Sequence, residues 1–276
     1  MRSEEDPKAR RKRIFYRVRV GILLFVLFVV ILYAIRDFRS RGARKNWDQT
    51  LEVALVVVRV EGTQTVDDAA LAALRGRVGA LETRLASEMT RYRAGSPQPF
   101  HFSVLGPVTV SSPPPTPSGD GPTDLAKQAI ALAAWLRETD PRAGVVSDRY
   151  DTRIYLAVRR PRSQDRSVIE GQSEEGGRVG VVEVELDDTM ADLTLFVVTH
   201  ELMHTLGASD KYDETGRSRV PDGLAEPKRS PLYPQRCAEV MARNVPVSAT
   251  SERVPETIDE LAVGALTASE IGWALR

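Results

Sequence analysis

The sequence predicts an α/β fold of the α+β kind, a mixed twisted sheet with helices packed on it, behind one apolar N-terminal helix. Three observations carry this. Periodic segments follow the order strand, helix, strand, helix, strand, strand, and a further helix comes next. The 276 residues are 42% hydrophobic and 28% charged, which suits a globular protein and excludes wholesale disorder. An uncharged apolar run at 20–35 stands apart, between two basic flanks.

That run is 16 residues long, or about 24 Å as a helix, against about 30 Å for a hydrocarbon core. Snorkelling of Arg17, Arg19 and Arg36 covers the difference. A cleaved signal peptide needs a small-x-small site, and the chain after the run offers a poor one. An uncleaved signal anchor is expected instead. Eight Lys and Arg precede the run and five follow it by Lys45. The positive-inside rule then puts a basic tail, 1–19, in the cytoplasm and the rest of the chain beyond 45 outside it. Residues 36–50 read as a polar stalk, and 51–276 as the folded domain. With 38 basic against 38 acidic residues there is no net field to draw nucleic acid, so none is expected as a partner. The membrane is expected as one, through 20–35.

Within the domain, 51–60 is β-branched and nearly continuous, so it reads as a buried strand. Leu71, Leu74, Val78, Leu81, Leu85 and Met89 mark one face of a helix over 66–93, with Thr65 or Asp67 as its cap. A second strand spans 100–110. The Pro-rich stretch 111–122 is a loop. A helix at 123–139, capped by Thr123, should stop before Pro141. Strands follow at 153–159 and 179–186. A last long helix at 190–206, with Asp188 and Thr189 as capping candidates, ends at Gly207. The single cysteine, Cys237, excludes a disulfide framework, a Cys-rich zinc finger and an iron–sulfur cluster, and reads as a small buried residue.

The helix 190–206 carries His200-Glu201-Leu202-Met203-His204. A spacing of four puts both imidazoles on one face, one turn apart, where two nitrogens can reach one tetrahedral zinc ion. Glu201 projects about 100° round from His200, near enough to hold a metal-bound water. Gly207 allows a sharp turn, after which Asp210 can swing back as a third ligand. His101, the remaining histidine, lies in a distant strand. Two imidazoles and a carboxylate would leave an open position for water, with a pKa near 7 when zinc-bound.

The string HELMHTLGASD resembles the extended zinc signature of the metzincin metallopeptidases, in the variant with Asp as third ligand that the snapalysin group uses. Asp210-Lys211-Tyr212-Asp213 is similar to the immune inhibitor A type of bacterial peptidase. The resemblance implies His200, His204 and Asp210 as ligands, Glu201 as general base, and Met241 as the Met-turn, 31 residues after Asp210. Arg243 stands where some branches place a tyrosine, so that switch is absent. Residues 266–273 resemble the closing helix. The fold implied is a zincin with two long helices, a small irregular C-terminal part, a cleft between 51–207 and 208–276, and an edge strand just before the zinc helix for an extended peptide. The function implied is a zinc endopeptidase acting on polypeptides through metal-activated water and Glu201. A tethered binding or scaffold protein with a structural or vestigial zinc site would keep the same ligands. A hydrolase of non-peptide bonds would lack the peptide-pairing edge. Tyr212 is read as packing.

Overall fold

The computed structural model describes residues 7–115, 119, 121–161, 169–173 and 176–274, so the first six residues of the basic tail lie outside the described ones. The chain forms two compact units, Met1–Ala43 and Arg44–Arg276.

The first unit is helix α1, Pro7–Arg44, and its Phe15–Leu32 stretch of 18 residues is long and apolar enough to cross a membrane by length and composition. At 1.5 Å per residue that stretch reaches about 27 Å. The stretch expected as a polar stalk, 36–50, is helical in its first part. Residues 36–44 continue α1, because arginine favours helix and no proline interrupts the segment. Its end belongs to the second unit, where Arg44 and Trp47 are 4% and 2% exposed.

Five strands build the main sheet of the second unit: β1 (Leu51–Val60), β2 (Phe100–Val110), β3 (Thr152–Arg159), β4 (Ile169–Ser173) and β5 (Val179–Glu185), in the order β2-β1-β3-β5-β4. The first three and β5 are mutually parallel, and β4 runs antiparallel to β5. Helices α2 (Asp68–Thr90), α3 (Pro122–Ala143) and α4 (Ala191–Thr205) cover the sheet. Leu51, Val53, Leu55 and Val57 share one core with Leu74, Leu81 and Leu85 of α2 and Leu195, Val198 and Leu202 of α4. Ala54, Val56 and Val58 join the other core with Trp135 of α3 and Tyr155 of β3. Cover on both faces is why β1 is apolar at consecutive positions rather than alternate ones.

Two expectations shift in detail. Helix α3 passes Pro141 and ends at Gly144, whose φ of +71° lets its N–H reach the Asp140 and Pro141 carbonyls. Pro141 has no N–H to offer the Arg137 carbonyl, so the helix passes it with one bond fewer. Asp140 also ties the helix end to β3 by accepting from Tyr155 and Arg153. The strand preceding the zinc-motif helix, β5, is paired on both sides, so it is not an edge; the outer strand is β4. Its sequence, IEGQS, lacks the apolar alternation that marks a strand.

Beyond α4 the chain is irregular. Two-residue strands β6 (Ala238–Glu239) and β9 (Leu261–Ala262) pair in parallel, β7 (Val245–Pro246) and β8 (Glu252–Arg253) pair antiparallel, and α5 (Ala265–Glu270) closes the fold. This part has a real core. Trp47 meets Phe100 and Trp273 edge-on, with centroids 5.4 and 5.8 Å away, and its Nε1–H donates to the Ile271 carbonyl at 2.8 Å.

Candidate metal centre

Helix α4 follows a turn in which Asp187 Oδ1 accepts from the N–H and the hydroxyl of Thr189, at 2.8 and 2.7 Å. That bond, rather than a side-chain cap from Asp188 or Thr189, precedes the helix. Its apolar flank is deep in the core, and His200 and Glu201 are buried with it, at 5% and 3% exposure. Gly207 ends the helix at φ +83°, and its N–H donates to the His204 carbonyl at 2.8 Å. A left-handed residue here reverses the chain at little steric penalty only if it is glycine, and the reversal carries Asp210 back towards the two histidines.

Three side-chain atoms then converge. His200 Nε2 and His204 Nε2 are 3.1 Å apart, and Asp210 Oδ1 lies 3.3 Å from the first and 3.2 Å from the second. A tetrahedral zinc with bonds of about 2.0–2.1 Å holds neighbouring donor atoms about 3.3 Å apart, so the triangle has the dimensions of one tetrahedral face. The outer ring nitrogens are committed elsewhere: His200 Nδ1 bonds the Val240 carbonyl at 2.9 Å, and His204 Nδ1 bonds the Ala208 carbonyl at 2.8 Å. In neutral rings this leaves lone pairs on both Nε2 atoms, facing the carboxylate. Among the described residues Asp210 Oδ1 is a buried oxygen without a hydrogen-bond partner. Three lone pairs directed at one another are favourable only around a cation, and the donor set of two imidazoles and one carboxylate suits zinc.

Glu201 sits close to this triangle. Its ligand atom lies within 4.8 Å of those of His200 and His204. Asp210 Oδ1 lies 3.3 and 3.2 Å from the same two imidazoles, so either carboxylate, Glu201 or Asp210, is close enough to complete a group of three donors. The Ser173 hydroxyl, at the end of β4, donates to the Glu201 carboxylate and contacts its carbonyl oxygen at 3.1 Å. Neither His101 nor Cys237 joins the group: His101, on β2, is exposed beside Glu82 of α2, and the Cys237 sulfur faces Arg84.

The loop is braced on each side of Asp210. Ser209 donates to Glu270 of α5 from its N–H and hydroxyl, at 3.2 and 2.9 Å, and Lys211 Nζ meets both Glu270 oxygens at 3.0 and 2.8 Å. Burial pushes the Asp210 carboxyl up; when the imidazoles of His200 and His204 are protonated instead of metal-bound, their N–H groups outweigh burial and hold the carboxyl well below the usual carboxylate range. Tyr212 lies flat against His200, with centroids 6.4 Å apart, under the Arg243 guanidinium. Burial raises its phenol above the ordinary value, and the Asp210 carboxylate adds to this.

Met241 is fully enclosed in a tight turn, where its carbonyl accepts from Lys211 N–H at 2.9 Å and Arg243 adopts φ +75°. Sequence reasoning passed over two contributors here. Ser173 had no motif to mark it. Glu239 did have a signal, an acidic residue inside the apolar string Ala-Glu-Val-Met-Ala. Burial pushes its carboxyl above the usual range, against the pull of the donors around it.

No protein-family profile matches the chain, and no curated protein matches it. Among solved structures it is similar to archaemetzincin from Methanopyrus kandleri, at 14% identity over 73% of this chain and 90% of that chain, with a TM-score of 0.33. A likeness at that level transfers neither activity nor residue roles, which rest on the side chains themselves.

Proposed function

We propose that the second unit is a zinc-dependent endopeptidase domain, tethered through α1. The observation that carries this is the triangle of His200, His204 and Asp210 donor atoms, 3.1–3.3 Å on a side, with the Glu201 carboxylate beside it. When bound, zinc supplies Lewis acidity that polarises a scissile carbonyl and acidifies a water molecule. Glu201 accepts the proton of the attacking water and returns it to the leaving amine. Ser173 fixes the orientation of that carboxylate by donating to it. No covalent intermediate is needed, so no nucleophilic side chain is required.

A polypeptide is the substrate class that the sheet favours. Strand β4 is outermost in the sheet, and its last residue touches Glu201. An extended peptide adding to that edge would lie alongside the centre. The charge asymmetry around the apolar run supports a cytoplasmic N-terminus and an extracytoplasmic domain.

The test is Glu201→Gln in the full chain, with zinc content and digestion of casein measured together. Zinc should stay bound while turnover falls by at least about a hundredfold. Unchanged turnover would remove Glu201 from the mechanism. Bound zinc with no turnover by the wild type would favour a tethered scaffold with a structural metal.

A further inference from the structure

Glu239 takes part in none of the steps above, yet it is 0% exposed. Burying a carboxylate costs more than burying an apolar side chain of similar volume, so stability alone does not explain an acid at this point. Its two oxygens gather three donors from separate places. Oε2 accepts the Met241 N–H at 2.6 Å, and Oε1 accepts the Gly264 N–H at 3.0 Å and the Thr267 hydroxyl at 2.7 Å. Gly264 permits the approach, since a β-carbon there would lie 2.9 Å from Glu239 Cγ. The carboxylate thereby bolts the turn containing Met241 to the start of α5.

Val240 lies between these anchored points. Its N–H donates to the Ala262 carbonyl at 2.9 Å, and its own carbonyl receives His200 Nδ1 at 2.9 Å. Both peptide groups flanking Val240 are therefore held, and the carbonyl has one direction in which to point.

We propose that Glu239 is a positioning residue for the metal centre: it fixes the Val240 carbonyl, and through it the ring of His200 and the direction of its Nε2 lone pair. This rests on the reading of His200, His204 and Asp210 as the ligand set. His204 supplies an internal control, because its ring is held by Ala208 at the exit of its own helix. Loss of Glu239 should thus disturb one histidine and spare the other.

The experiment uses the full chain and the variants Glu239→Gln and Thr267→Val. Glutamine offers one acceptor oxygen and cannot take all three donors; the valine variant removes one donor and leaves the acid in place. Two quantities are read: the side-chain ¹⁵N–¹H resonances of the histidines, of which the chain has three, in metal-free protein, and the zinc dissociation constant by chelator competition. Glu239→Gln should shift the His200 Nδ1–H resonance and speed its exchange with water, leave that of His204 in place, and weaken zinc binding about tenfold or more. Thr267→Val should move both quantities the same way by less, which decides the matter if the glutamine variant fails to fold. Equal changes at both histidines, no change at either, or a His200 shift with unchanged zinc affinity would each overturn the proposal. A wild type that binds no zinc would instead sink the ligand reading, and the His200 resonance would still report whether Glu239 holds that ring.

Discussion

The two halves of the candidate centre are built by different means. Helix α4 presents His200, Glu201 and His204 from one regular element, so their spacing follows from 3.6 residues per turn. Asp210 and the Val240 carbonyl come from the region after Gly207, whose strands are two residues long and whose closing helix has six residues. The contrast is clearest in the two imidazoles: His204 is fixed by a carbonyl four residues on, His200 by one 40 residues on. Where periodicity is lacking, the chain reaches the same precision with polar bolts, the buried Glu239 to α5 and the partly exposed Glu270 to the Asp210 loop. Each such bond contributes about 0.5–3 kcal/mol, the larger values belonging to charged partners.

The strongest challenge to this comparison is Trp47→Ala. If the irregular half is a packed core and not a loose flap, removing the indole that meets Phe100 and Trp273 and caps the Ile271 carbonyl should lower unfolding free energy by about 3–5 kcal/mol. Urea unfolding measures it. A loss below about 1 kcal/mol would mean that the region is held elsewhere.

A smaller effect tests the regular half, at the residue of α4 that also reaches the irregular one. Asp192 of α4 accepts from Arg77 of α2 at 2.5 and 2.7 Å and from the Ile258 N–H at 3.0 Å. The Arg77 bond, against the opposing effect of burial, holds its carboxyl below the ordinary range. A depressed folded pKa contributes stability that is fully present above the unfolded value near 3.9 and is lost as pH falls through the folded one. The contribution is about 1 kcal/mol, discounted because the Arg77 side chain is 41% exposed. Arg77→Met should therefore lower stability at pH 7 and flatten its fall below pH 4. Parallel wild-type and variant pH curves would show that the pair between α2 and α4 contributes no pH-dependent stability.

What the sequence made legible divides along the same line. Strand β1, the Leu-rich face of α2 and the HELMH helix could be read because burial repeats with the period of the element. The turn at Gly207 and the return of Asp210 towards the histidines could be read because few residues separate them from the helix. Strand β4 could not, since IEGQS is specified by pairing with β5 and not by its own pattern. Nor could the entry of Arg44 and Trp47 into the core. Arg44 donates to the Gly176, Gly177 and Thr205 carbonyls, more than 130 residues away, and in the sequence it is one more arginine in a basic flank.

In the proposed centre, His200, His204 and Asp210 clasp one divalent ion. Zinc titration of the metal-free full chain, beside Asp210→Ala, tests it most directly. About one zinc per wild-type chain is expected, with affinity falling by more than tenfold in the variant. No zinc on the wild type, or equal affinity in both proteins, would mean that these three side chains do not form a metal site.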